Sequence, residues 1–383
     1  MNKNIYSKFF CIMIICVFFQ TACSSTTTTS TDNLGLQGDT QVRITQNLTY
    51  TNSEEEQKYK ISTKEENTQT EPELENSKYC TNITDVTQDE CQALVTLYES
   101  TNGDEWINND NWLINNNVRE WYGIIAFNGH VFQINLDNNN LIGVIPPELK
   151  NLEYLEILGL SGNQLNGTIP VELGNLKNLY YLFLSENQLS GNIPPELGNL
   201  TNLNLLSLSG NKLTGSIPLE LGNLINLTDL YLGCNKLTGS IPASLGNLIN
   251  LDELSLGLNK LTGHIPPELG NLTNLTILDL VLNNLDGSIP SELGNMSNLQ
   301  VLGLHANQLT GVIPSKLGNL SNLIDISLYS NKLEGSIPST FINLDQLNGF
   351  YFYDTNLCEP NTQEFLAWKK TIQYWSGTEV TCN

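Results

Sequence analysis

From residue 131 onward, one pattern of apolar and polar positions recurs every 24 residues. Nine Ile-Pro dipeptides mark it, from Pro146 through Pro170, Pro194 and so on to Pro338. The unit 155–178 reads LEILGLSGNQLNGTIPVELGNLKN, with Leu155, Leu158, Leu160, Leu165, Ile169, Leu173 and Leu176 as its apolar set. The spacing of two between Leu158 and Leu160 is the period of a strand with one buried face. After Leu160 the spacing breaks into Asn, Gly and Pro, which predicts a turn-rich return. A single unit cannot bury its apolar side, so the units must stack and bury it against both neighbours. Ten stacked strands at ~4.8 Å spacing would make a body roughly 45 Å long.

Three polar or special columns complete the unit. Asn139, Asn163, Asn187, Asn211, Asn235, Asn259, Asn283, Asn307 and Asn331 follow the strand. An amide with two donors and an acceptor suits a buried bend whose backbone has no ladder partner. The Gly143 to Gly335 column predicts a backbone shape that a Cβ disfavours. The Ile-Pro column sets φ at the return and excludes an α-helix there.

The pattern LxxLxLxxNxLxGxIPxxLGNLxN resembles the plant-type leucine-rich repeat, a family that includes receptor ectodomains and polygalacturonase-inhibiting proteins. The resemblance covers about residues 131–357. It implies an α/β repeat solenoid, a right-handed superhelix with a parallel concave β-sheet and with 3-10 and extended returns on the convex side. The domain reading is nine repeats over 131–345, an N-terminal cap over 80–130, and a tenth strand with a C-terminal cap over 346–383.

In the N-terminal cap, Thr87 and Glu90 have capping-box spacing, and Cys91, Leu94, Val95 and Tyr98 make one helical stripe. Trp106, Trp112 and Trp121 read as the core of that cap. The run LVTLYESTNGDEWINNDNW resembles caps of bacterial leucine-rich-repeat surface proteins. The plant cap has a Cys near the position of Ala126, and its absence favours a bacterial origin. In the C-terminal cap, Asn361 with Glu364 predicts a helix start, and Phe365, Trp368, Ile372 and Trp375 predict one apolar helical face.

Cys80 and Cys91 lie in one cap and Cys358 and Cys382 in the other. Four cysteines allow three connectivities. The caps are too far apart to cross-link, which leaves Cys80–Cys91 and Cys358–Cys382. Cys234 is left over and reads as a partly buried thiol.

Residues 1–22 read as an export signal. Lys3 and Lys8 precede an apolar run of 11 residues, Phe9 to Phe19, too short to span a bilayer. Gln20-Thr21-Ala22-Cys23 resembles a bacterial lipoprotein cleavage site, which implies lipidation of Cys23. Gln20 stands where Leu is usual, and simple cleavage with secretion is the alternative. Residues 23–79 are rich in Ser, Thr and Glu and read as a disordered tether. The expected location is a bacterial cell surface or outer membrane, or else the secreted fraction.

Forty acidic against 17 basic residues give a net charge of −23. That excludes a nucleic-acid partner, whose phosphates need a basic surface. It leaves the lipid anchor as the one membrane contact. Partners are expected to be proteins or glycans, neutral or basic, and the protein itself a monomer.

Side chains between the strand leucines face solvent in this pattern. They include Phe132, Asp137, Glu156, Tyr180, Tyr181, Phe183, Glu186, Asp229, Tyr231, Asp252, Glu253 and Asp279. Further along come His305, Asp325, Tyr329, Tyr351, Tyr353 and Asp354. No Lys or Arg falls among them. Lys212, Lys236, Lys260 and Lys332 sit one residue after the Asn, at the edge. Tyr offers contact area at low entropy cost together with a hydroxyl, so this face is the candidate ligand surface. The competing explanation is that Tyr is a good strand former and acids keep the face soluble.

No HExxH, paired CxxC or phosphate-cradling Gly loop occurs. His305, Ser327 and Asp279 share a face, but a catalytic triad needs all three in contact. The expectation is no catalysis, no cofactor and no metal. The reading is extracytoplasmic recognition of a protein or glycan by the concave face. The alternative is a secreted inhibitor of hydrolytic enzymes, implied by the resemblance to polygalacturonase inhibitors. A structural or ice-contacting surface built on the regular Asn/Thr rows stands third.

Overall fold

The computed structural model describes residues 78–382. The export signal, Cys23 and nearly all of the tether lie outside the described residues. Twelve strands form one sheet. Through the repeats every strand pairs in parallel with the next at the same register, Tyr181 with Leu205, Leu205 with Asp229, Asp229 with Glu253, and Glu253 with Ile277. The strand leucines Leu158, Leu182, Leu206, Leu230 and Leu254 are fully buried. Each such side chain contributes about 2 kcal/mol by leaving water.

Behind the strands the chain returns through nine five-residue 3-10 helices among the described residues, from Pro147–Asn151 to Ser339–Asn343. A proline stands at the N-cap of each, as Pro170 does with φ −62° before Val171–Asn175. The glycine column takes the backbone shape its conservation of type along the chain suggested, with Gly143 to Gly335 all at positive φ between 71° and 138°.

The Asn column does what its chemistry predicts. Asn163 Oδ1 accepts from the backbone of Asn139 at 3.0 Å and of Leu141 at 2.9 Å. Its Nδ2 donates to Leu136 O in the previous repeat at 2.9 Å and to Leu160 O at 3.0 Å. One buried amide thus ties two successive bends together, and the pattern recurs at Asn187, Asn211 and Asn259.

At the N-terminal end the helix Gln88–Ser100 starts with a complete capping box between Thr87 and Glu90. Trp106, Trp112 and Trp121 are buried and form one ring cluster with Tyr98, neighbouring centroids lying 4.9 to 5.7 Å apart. The sheet gains a strand here beyond the expected ten. Ile124–Phe127 pairs antiparallel with His130–Asn135, with a bulge at Ile125/Ala126.

The C-terminal end departs from the sequence reading. The helix is Gln363–Lys369, capped by Thr362, which accepts from Phe365 N at 3.2 Å; Asn361 is not the cap. Trp375 is not on its apolar face. It lies in the strand Tyr374–Ser376, which pairs in parallel with Gly349–Tyr351. The unpaired backbone of that last repeat strand needs a partner, and this demand overrides the helical spacing of the apolar residues.

Both disulfides pair as expected, Cys80 with Cys91 and Cys358 with Cys382. Cys234 is in neither bridge and is half-buried. Among the described residues no helix is long and apolar enough to cross a membrane.

Candidate functional site

The concave sheet face is built from the residues that alternate with the buried leucines. Because register is kept, residues 24 apart stand side by side, ~4.8 Å apart. Side chains therefore meet their counterparts in the next repeat more readily than their neighbours in sequence.

The middle of the face is a hydrogen-bonded network. Tyr231 Oη lies 2.6 Å from Glu253 Oε2 and 2.9 Å from Asp229 Oδ1. Thr228 Oγ1 donates to Asp229 Oδ2 at 2.8 Å. Burial, with the facing carboxylates of Glu253 and Asp229, pushes the Tyr231 phenol well above its ordinary pKa. One repeat on, Ser255 Oγ donates to Asp279 Oδ2 at 2.9 Å and Val281 N to Oδ1 at 3.2 Å. Burial raises the Asp279 pKa while these two donors lower it, with burial the larger effect.

This corrects the expectation that all these side chains face solvent. Glu253 is 5% exposed, among the most buried polar groups. Its neighbour Asp252 is exposed. Glu253 lies between Asp229 and Ile277 in register, and its carboxylate is held by the Tyr231 hydroxyl of the previous repeat.

The C-terminal part of the face is aromatic. His305, Tyr329 and Tyr353 stack across three repeats, with centroids 4.2 and 4.4 Å apart and planes within 13° and 11°. Burial holds His305 down at about 4, so its ring is neutral at neutral pH. Ser327 Oγ lies 3.0 Å from His305 Nδ1. Asp279 turns instead to Ser255 and Val281, so Ser327, His305 and Asp279 are not assembled as a triad. Asp325 and Tyr351 sit together beside Gly349, and burial pushes the Asp325 carboxyl up to about 6.

Toward the N-terminal end, Tyr180 and Tyr181 are exposed, and the Tyr181 ring runs parallel to Phe183 at 6.1 Å. Nearer the N-terminus, sequence reasoning named Phe132 but missed two ring pairings. Phe127 stacks on Phe132 at 3.8 Å, and His130 on Tyr154 at 3.8 Å. Phe127 belongs to the hairpin strand that the repeat pattern does not contain, so no column announced it. Tyr154 lies just outside the leucine spacing. Thr228 and Ser255 were also missed, being small residues without a signal of their own. Among the described residues no three His, Cys, Asp or Glu side chains gather as a metal site.

A family model described as a leucine-rich repeat region matches residues 137–290, and a second, described as leucine rich repeat, matches residues 297–352. No curated protein matches the chain. Among solved structures, the ectodomain of the plant membrane receptor kinase GASSHO1/SCHENGEN3 from Arabidopsis thaliana, in complex with CASPARIAN STRIP INTEGRITY FACTOR 2, is 39% identical with a TM-score of 0.69. That match covers 72% of this chain and 34% of that ectodomain, so the chain spans about a third of the ectodomain's length. A plant ice-binding protein is 27% identical with a TM-score of 0.64, covering 78% of this chain and 99% of that one. A leucine-rich-repeat protein of Leptospira interrogans is 32% identical with a TM-score of 0.50, covering 62% of this chain and 64% of that one.

Proposed function

We propose, from the premise that this chain belongs to the plant-type leucine-rich-repeat proteins, that it is a non-enzymatic recognition protein whose concave face takes a protein ligand outside the cytoplasm. The observation that carries the reading is the make-up of that face. Tyr, Phe and carboxylates line it from Tyr180 to Tyr353, and no Lys or Arg interrupts them. Aromatic side chains with polar tips are suited to contact surfaces, and the similar Arabidopsis ectodomain was solved with a partner bound. Two disulfides support an oxidising compartment. Export by residues 1–22, a lipid on Cys23 and the tether 23–79 complete the proposal, and the similarity to a Leptospira leucine-rich-repeat protein fits a bacterial source.

A photo-crosslinking residue at Phe183 tests it against the same residue at the exposed convex position Leu219. Crosslinks from Phe183 that vanish with Tyr180, Tyr181 and Tyr231 changed to Ala are expected. Equal yields from both positions would overturn the concave-face reading. If the captured partner is a secreted hydrolase, inhibition of its activity would make the protein an inhibitor of the kind first considered.

A second reading, contact with ice, has its own observation. On the stretch beyond the Asn column, which is only partly strand, Thr214, Thr238, Thr262 and Thr310 are exposed at one repeat position, and Ser216, Ser240 and Ser288 at another. The strands carrying them pair in parallel where they are formed, as Ser190–Asn192 does with Lys212–Thr214. Asp286 and Glu334 interrupt the threonine row, which ranks this reading below the first. Thermal hysteresis in dilute solution is its test, and a flat freezing curve would dismiss it.

A further inference from the structure

One column of the concave face sets a carboxylate between two aromatic rings. Phe132, Glu156 and Tyr180 stand side by side in successive repeats. Glu156 N donates to Phe132 O and Tyr180 N to Glu156 O, each at 2.8 Å. The three side chains therefore leave the sheet ~4.8 Å apart. Phe127, on the strand at the outer edge of the sheet, covers one face of Phe132 at 3.8 Å with planes 11° apart. The other face looks toward the repeat that carries Glu156. From that repeat Tyr154 adds a ring 6.0 Å from Phe132 and tilted by 55°. Tyr180, 43% exposed, closes the column on the far side of Glu156.

Glu156 is half-buried in this setting. Among the described residues its carboxylate makes no hydrogen bond and no ion pair. Acids nearer the centre are answered within the protein, Asp229 by Thr228 and Tyr231, and Asp279 by Ser255. Lys177, three residues before Tyr180, donates instead to Gly174 O and Asn199 O at 2.8 and 3.2 Å. A partly desolvated carboxylate without a partner is a cost to the free protein. Aromatic faces attract cations through the ring quadrupole. A carboxylate with a ring on either side is therefore complementary to an organic cation. Its charge pairs with Glu156, and its apolar stem lies against the rings.

We propose that Phe132, Glu156 and Tyr180 form a subsite for a cationic side chain, lysine or arginine, of the concave-face ligand. The subsite rests on the concave-face reading and specifies one residue of the ligand. In the adjoining column Ile157, Tyr181 and Leu205 stand in register, so ligand residues beside the cation meet an apolar floor.

The experiment titrates the intact protein with Ac-Gly-Lys-Gly-NH2, Ac-Gly-Arg-Gly-NH2 and their neutral acetyl-lysine and citrulline counterparts. Saturable binding of a cationic peptide with Kd on the order of 1 mM is expected, about tenfold tighter than its neutral counterpart. The tighter of the two cations assigns the ligand residue. Any cation is drawn to a protein of net −23, and ring currents separate the subsite from that general attraction. Side-chain methylene protons of the bound peptide should shift upfield in the NMR spectrum. Glu156→Gln should abolish the preference for charge and stay folded, because the carboxylate it replaces has no partner. Glu196→Gln, at an exposed position on a 3-10 return, should leave the preference unchanged. Tyr180→Ala should weaken the cationic peptide about threefold and reduce the upfield shift. Equal binding of cationic and neutral peptides, no saturable binding, or a preference that survives Glu156→Gln would each overturn the subsite. So would a preference that Glu196→Gln removes equally. Crosslinking from Phe183 reports on the concave face independently. Intact crosslinking without a cation preference sinks the subsite alone, whereas loss of crosslinking sinks the reading beneath it.

Discussion

Tyr231 reaches across one repeat to Glu253, its hydroxyl 2.6 Å from Oε2. The pair joins two adjacent strands at the centre of the face, and Glu253 is almost wholly buried there. A phenol has one proton, and Asp229 Oδ1 lies within 2.9 Å of the same oxygen. The two carboxylates therefore share or exchange one donor, which makes the hydroxyl structural as well as a contact group.

Tyr231→Phe keeps the ring and removes this donor from a buried carboxylate. It should lower stability by about 1–3 kcal/mol, read as a lower urea midpoint at unchanged slope. Tyr180→Phe, at an exposed position, should stay within about 0.5 kcal/mol. Equal effects of the two would contradict the network.

Asp325 and His305 pull the pH profile in opposite directions. The Asp325 carboxyl is raised to about 6 in the folded protein, against an unfolded value of about 4. The folded state therefore binds this proton first, and stability from this group rises as pH falls from about 6 to about 4. His305 is lowered to about 4. The unfolded chain protonates first there, so stability from this group falls as pH drops from about 6.5 to about 4. Asp325→Asn should raise stability at pH 7 by at most about 1 kcal/mol after solvent screening is allowed for. It should also steepen the acid loss between these limits, where the histidine acts alone. Parallel pH–stability curves for wild type and variant would refute the assignment.

Asn211 is 8% exposed and serves two repeats. Its Oδ1 accepts from Leu189 N at 3.0 Å, and its Nδ2 donates to Leu184 O at 2.9 Å and Leu208 O at 3.0 Å. Asn211→Ala orphans these backbone groups and should cost about 3 kcal/mol. Hydrogen exchange should quicken at Leu189 and its neighbours, with the terminal caps unaffected. Protection that stays uniform along the stack would argue against the amide as the tie between repeats.

Glu186 is exposed and held at φ +55°. Gly162 and Gly210 occupy the same place one repeat before and after, at φ +68° and +67°. Glu186→Gly relieves the left-handed strain of a side chain, ~1–2 kcal/mol, and loses ~0.5–1 kcal/mol to chain entropy. A net gain of about 0.5 kcal/mol in thermal or urea unfolding is expected. A destabilised variant would mean that the Glu186 side chain makes a contact worth more than the strain.

The sequence alone determined the stack. A 24-residue period with Leu, Asn, Gly and Pro in set columns admits one packing, because each unit can bury its leucines only against a copy of itself. Thr87 with Glu90 announced the first helix, and the positions of four cysteines left one feasible pairing. The columns also named nearly every residue on the concave face. They could not say where each side chain leans. That Glu253 is buried while Asp252 is exposed goes with the Tyr231 hydroxyl that the previous strand brings to it, and that Asp325 lies beside Tyr351 depends on the absent Cβ of Gly349. The shape of the two ends was likewise tertiary. Phe127 stacks on Phe132, and Tyr374–Ser376 forms a strand instead of extending a helix, because the outermost repeats expose backbone that something must pair with. Periodicity fixes what repeats; the contacts between unlike neighbours, where the binding chemistry sits, are set only when the strands are side by side.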